Sequence, residues 1–171
     1  MIAPSTTDSG AAAQVSVGIG ECHVLSGRKG VLVAYGLGSC VAVCAYDPVA
    51  GVGGILHAML PTNGAAAGEK SSRYVNHGIA QLLDSMTRRG ASTGRLVIKL
   101  VGGARVLSLP GAQDKFNVGA RNIDSAREEL ARRGLPVTAA DVGGNKGRTV
   151  QMNVETGQVM VRTVGSDMRA L

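Results

Sequence analysis

Apolar positions along this chain follow two rhythms, and each predicts a different element. Runs rich in β-branched residues, Val15 to Cys22, Val31 to Tyr35, Val41 to Tyr46, Val52 to Leu60, Arg95 to Val101 and Val137 to Val142, read as strands. Turn chemistry separates them, as in Ser26-Gly27-Arg28-Lys29-Gly30 and Asp47-Pro48-Val49-Ala50-Gly51. Two more runs joined by Glu155-Thr156-Gly157-Gln158 read as a hairpin. Elsewhere the apolar period lengthens to that of a helix. Val75, Ile79, Leu82, Leu83 and Met86 form one stripe, with Ser71 or Ser72 as cap and Gly90 as stop; Ile123, Ala126 and Leu130 form another, with Asn122 as cap and Gly134 as stop. Glu128 and Glu129 are expected on its solvated face. Many short strands, two helices and no regular βαβ alternation predict a mixed α/β fold.

Composition narrows the class. At 171 residues the chain suits a single domain able to bury a core without disulfides. Hydrophobic residues make up 44% but aromatics only 2%, so that core must be aliphatic. Residues 1–14 are small and polar and read as a disordered tail ahead of a domain at 15–171. Three cysteines, an odd number, with no secretory apolar segment point to free thiols in a cytoplasmic setting. No apolar run is long enough for a membrane helix.

The net charge of +6 is spread over scattered Lys and Arg and suits an acidic partner. Nucleic acid is excluded as the expected partner, because stacking aromatics are nearly absent. No cofactor or metal is expected: the glycine segments lack P-loop and dinucleotide spacing, and Cys22, His23, Cys40 and Cys44 do not form the close pairs of a zinc site.

The candidate chemistry lies in Val31 to Pro61. Gly36-Leu37-Gly38-Ser39 should turn the chain sharply and present Cys40, with Val41 to Tyr46 and Val52 to Leu60 pairing as a hairpin that carries His57 back beside it. A thiol needs such a base, since the thiolate is the nucleophile. Spacing alone also fits two core residues, because Cys is often buried and a His in an apolar run is often a hydrogen-bonded core group.

The segments GLGSCVAVCAYDPVAGVGGILHAMLP, VGGARV, NVGARN and DVGGNKGRTV, in this order, closely resemble the CheD family of bacterial chemotaxis proteins. The resemblance runs from about Val17 to Val164. It implies a layered sandwich of mixed β-sheets with flanking helices, distantly similar to the catalytic domain of cytotoxic necrotizing factors. It also implies a protein-glutamine deamidase acting on the cytoplasmic helices of chemoreceptors, with glutamate methyl esters as further substrates. The expected protein is a monomer that also binds the phosphatase CheC. Cys40 and His57 fall on the nucleophile and base of the family's Cys, His, Thr triad. The Thr position, six residues before the Cys, is Ala34, so the expected orienter of His57 is a main-chain carbonyl at Ala34 or Tyr35. Backbone N–H groups around Ser39 and Cys40 would bind the oxyanion. Ala34 also leaves open a non-catalytic CheC-binding adaptor, and the thiol leaves open a cysteine hydrolase of another substrate.

Overall fold

The computed structural model describes residues 13–27, 30–62, 70–106 and 117–171. Among them, ten strands form two five-stranded sheets. The first contains, in spatial order, Ala13–Ser16 (β1), Gly30–Leu37 (β3), Arg148–Asn153 (β8), Val159–Thr163 (β9) and Arg169–Ala170 (β10). The second contains Cys22–Ser26 (β2), Val52–Ala58 (β5), Val41–Asp47 (β4), Val97–Gly102 (β6) and Val137–Val142 (β7). Only β1–β3 and β6–β7 pair in parallel. With two helices, Val75–Arg88 (α1) and Val118–Arg132 (α2), this is the mixed α/β fold that the pattern predicts and the layered sandwich that the resemblance implies.

The second sheet is the central layer. One face places Val41, Val43, Leu56, Ile98 and Leu100 against Ile79, Leu82, Met86, Ala126 and Leu130 of the helices. The other places Cys40, Ala42, Cys44, Ile55 and Val101 against Leu32, Ala34, Val150 and Met152 of the first sheet. A strand buried on both sides has no polar face to alternate, which is why β4 and β5 read as continuous apolar runs. β8, covered on one side, alternates.

Several expectations change. Val15 to Cys22 is not one strand: β1 ends at Ser16, residues 17–21 cross from the first sheet to the second, and β2 begins at Cys22. Neither Ser71 nor Ser72 caps α1, whose N-cap is Tyr74; Ser72 Oγ instead donates to the Gly20 carbonyl, tying the start of the helix to that crossing segment. Asn117, not Asn122, caps α2, its side chain accepting from the Ala120 N–H. Glu129 is buried and paired with Arg132 and Arg133, while Glu128 is exposed. Of the expected tail, Ala13 and Gln14 already belong to β1, and residues 1–12 lie outside the described ones. Residues 63–69 and 107–116 also lie outside them.

Candidate functional site

The expected β4–β5 hairpin forms, with Val41 opposite Ala58 and Ala42 opposite His57. Cys40 is the residue immediately before β4. Two residues before Ala42, it packs in the same cluster as Ala42 and so on the same face. With His57 opposite Ala42, this is a placement that in a regular antiparallel pair makes diagonal neighbours roughly 7 Å apart. That face is the inter-sheet layer. Cys40 is 9% exposed and His57 1% exposed, so the thiol lies at a buried edge rather than on an open surface turn.

His57 is held by the crossing segment 17–21. Its backbone N–H donates to Glu21 O at 2.9 Å, its carbonyl accepts from Gly20 N at 2.7 Å, and its ring Nδ1 lies 3.1 Å from Val17 O. A carbonyl can only accept, so Nδ1 carries the hydrogen and Nε2 is the basic nitrogen of the neutral ring. Nε2 is buried and has no partner among the described residues. Val17 is itself fixed, its N–H donating to Val33 O at 2.8 Å. The carbonyl on Nδ1 is thus that of Val17, not of Ala34 or Tyr35. Ala34 is fully buried between the sheets, and the side chain of Tyr35 is half exposed, its hydroxyl accepting from Gln14 Nε2.

The turn that presents Cys40 is shorter than expected. β3 continues through Gly36 to Leu37 with a register shift between Ala34 and Leu37, leaving Gly38-Ser39-Cys40 as the whole connection to β4. All three of its carbonyls are engaged: Gly38 O accepts from Ala104 N at 2.7 Å, Ser39 O from Asn122 Nδ2 at 2.8 Å and Cys40 O from Gly103 N at 2.7 Å. This needs backbones in contact. A Cβ on Gly102, at φ +111°, would stand 2.3 Å from Cys40 O, and one on Gly119 would stand 2.6 Å from Gly103 O.

Burial sets the resting protonation. It pushes the Cys40 thiol above its usual pKa, against the pull of its own N–H. It lowers His57, against the Val17 hydrogen bond and the Glu21 carboxylate. Both groups rest neutral at pH 7. Cys44 is fully buried and pushed up to about 12, and Cys22 is pushed up by burial to about 11, so neither competes as a thiolate. Among the described residues, no group of three His, Cys, Asp or Glu could hold a metal ion, and no helix is long and apolar enough to cross a membrane.

The fold and this region together define a helix-backed double-sheet protein with a buried thiol just ahead of β4 and a buried imidazole on β5. The sequence model of the family described as "CheD chemotactic sensory transduction" matches residues 59–163. The "Chemoreceptor glutamine deamidase CheD" of Thermotoga maritima is 42% identical over 149 residues, covering 87% of this chain and 91% of its own. A Symbiobacterium thermophilum protein named "Probable chemoreceptor glutamine deamidase CheD" is 41% identical over 152 residues, covering 88% and 92%. A Thermococcus kodakarensis protein of the same name is 39% identical over 154 residues, covering 90% and 94%. The chain belongs to the CheD family.

Sequence reasoning missed Val17 and Asn122 as parts of this region. The backbone carbonyl of Val17 has no sequence signature. Asn122 lies in the quoted segment NVGARN, but an Asn before an apolar helical stripe reads first as a cap.

Proposed function

We propose that this protein is a chemoreceptor glutamine deamidase, with residues 15–171 as the catalytic domain, Cys40 as nucleophile and His57 as general base. The carrying observation is the Val17 carbonyl at Nδ1 of His57, which leaves a buried, unpartnered Nε2 on the face that bears Cys40. The names of the relatives supply the substrate class.

In the reaction, Nε2 takes the Cys40 proton as Sγ attacks the side-chain carboxamide carbon of a receptor glutamine. The C=O electron pair moves onto oxygen, and the N–H groups of Ser39 and Cys40 bind the oxyanion. Such a donor is worth about 3 kcal/mol in known acyl-transfer sites. Collapse of the intermediate breaks the C–N bond, and the proton on Nε2 leaves with ammonia. Water then gives a proton to Nε2 and attacks the thioester; the glutamate is released, and the proton returns to Sγ. The same steps hydrolyse a glutamate methyl ester, with methanol leaving in place of ammonia. The protein acts as a cytoplasmic monomer on receptor helices and also binds CheC.

Incubation with a receptor cytoplasmic fragment, followed by mass spectrometry of Gln-to-Glu conversion, tests this reading. Conversion by the wild type and none by Cys40→Ala is the expected result. Ala34 favours a second reading, a CheC-binding adaptor without catalysis; receptor or CheC binding with no conversion would select it.

A further inference from the structure

We infer that Asn122 is a positioning residue for acyl transfer, its side-chain amide aiming the Cys40 N–H at the carbonyl oxygen under attack; this rests on the cysteine-nucleophile reading above. Asn122 sits in the second turn of α2 and is fully buried. Its Nδ2 donates to Ser39 O at 2.8 Å and to Met59 O at 3.1 Å. The opposite amide orientation would set oxygen against two carbonyl oxygens, so the bonding pattern fixes which atom is the nitrogen. Its Oδ1 is buried with no partner among the described residues.

An asparagine inside a helix, with one polar atom unsatisfied, is a poor choice for stability alone. Its two contacts show what it does instead. Ser39 C=O and Cys40 N–H belong to one peptide unit, and in a trans peptide they point in opposite directions. Holding the oxygen against α2 turns the hydrogen away from the helix. Ala104 N–H does the same through Gly38 O for the Ser39 N–H. Among the described residues, no backbone carbonyl accepts from the Ser39 or Cys40 N–H. Of the three clamps on the turn, only Asn122 acts through a side chain. Its second bond, to Met59 O, ties the turn to the residue just past the end of β5, the strand that carries His57.

The test compares Asn122→Ala with the wild type in two acyl-transfer assays, receptor glutamine deamidation and acylation of Cys40 by p-nitrophenyl acetate. Alkylation of Cys40 by iodoacetamide, which uses the thiol but develops no oxyanion, serves as control. The expected result is a fall in acyl-transfer kcat of about tenfold to a hundredfold, with KM and alkylation rate within about threefold. Unchanged acylation in a folded variant overturns the inference. So does a parallel fall in acylation and alkylation, which marks a merely structural role. A wild type that is acylated by the ester but converts no receptor glutamine defeats the deamidase reading and leaves the Asn122 comparison to be decided on the ester. A wild-type Cys40 that neither substrate acylates overturns both. If Asn122→Ala does not fold, Asn122→Ser is measured in its place: acylation reduced with alkylation unchanged supports the inference, and unchanged acylation, or a parallel fall in both, overturns it.

Discussion

The Val17 carbonyl oxygen lies 3.1 Å from Nδ1 of His57, so the hydrogen-bond acceptor that fixes this ring comes from the main chain. This matters for Ala34, which falls where the family resemblance implies a Thr. A ring already oriented on Nδ1 gains little from a new hydroxyl, and Ala34 is fully buried in the packed inter-sheet layer. Ala34→Thr should therefore change the deamidation rate by no more than about tenfold, or about 1.4 kcal/mol. It should also destabilise by about 1–3 kcal/mol through overpacking. Steady-state kinetics and urea unfolding check the two arms. A silent wild type switched on by Ala34→Thr would show that the Val17 carbonyl does not suffice.

The three thiols should separate by function. Cys40→Ala removes the proposed nucleophile and should abolish deamidation, at a cost to stability of about 1 kcal/mol or less, because the side chain is small and keeps some exposure to solvent. Cys44 faces the same layer two pleats further on, fully buried. Cys44→Ala should cost about 1 kcal/mol and leave kcat per folded molecule unchanged. Activity surviving in Cys40→Ala, or lost without destabilisation in Cys44→Ala, would reverse the assignment.

What could be read in advance follows from how locally each feature is encoded. The β4–β5 pairing is local: Asp47 to Gly51 turns the chain between two apolar runs, so the hairpin was legible. The helical stripes were legible for the same reason. The split at residues 17–21 was not, because a strand that ends by changing sheets looks apolar throughout. The burial of Glu129 was also hidden, since it depends on Arg132 and Arg133 folding over it, an arrangement that packing decides and period does not. Two asparagines five residues apart carry the same sequence signal. Only the fold decides that Asn117 caps the helix and Asn122 reaches the site.

Asp47 should be a stability residue remote from catalysis. Its carboxylate is fully buried at the far end of β4, where it accepts from Val49 N at 2.9 Å, Ala50 N at 3.2 Å and Ser92 N at 2.8 Å, and pairs with Arg95. Arg95, aided by these N–H groups, holds its pKa well below the usual carboxylate range. Asp47→Ala leaves three backbone donors without their acceptor and should cost about 3 kcal/mol or more. Thermal unfolding would report the loss, and deamidation below the new midpoint should match the wild type. A loss below 1 kcal/mol by about the same scale would mean that water replaces the carboxylate.

The pH dependence of stability should be a plateau with two edges. His57 has a folded pKa below its ordinary value, so below about pH 6.5 the unfolded chain binds a proton that the folded chain refuses. Stability then falls as pH drops, until the folded pKa is reached. Asp47 extends the fall: its contribution is complete above the ordinary carboxylate value of about 3.9 and is lost as pH drops toward its depressed folded value. On the alkaline side the sign reverses. Cys44, pushed up to about 12, and Cys40 keep protons that the unfolded chain releases above about pH 8.5, so stability falls as pH rises. Each group contributes a slope of at most about 1.4 kcal/mol per pH unit. Urea midpoints should therefore be highest between about pH 6.5 and 8.5, with Cys44→Ala shallower on the alkaline edge and His57→Ala shallower on the acid edge. Stability that rises steadily from about pH 8.5 to 10 would be incompatible with a buried, protonated Cys44.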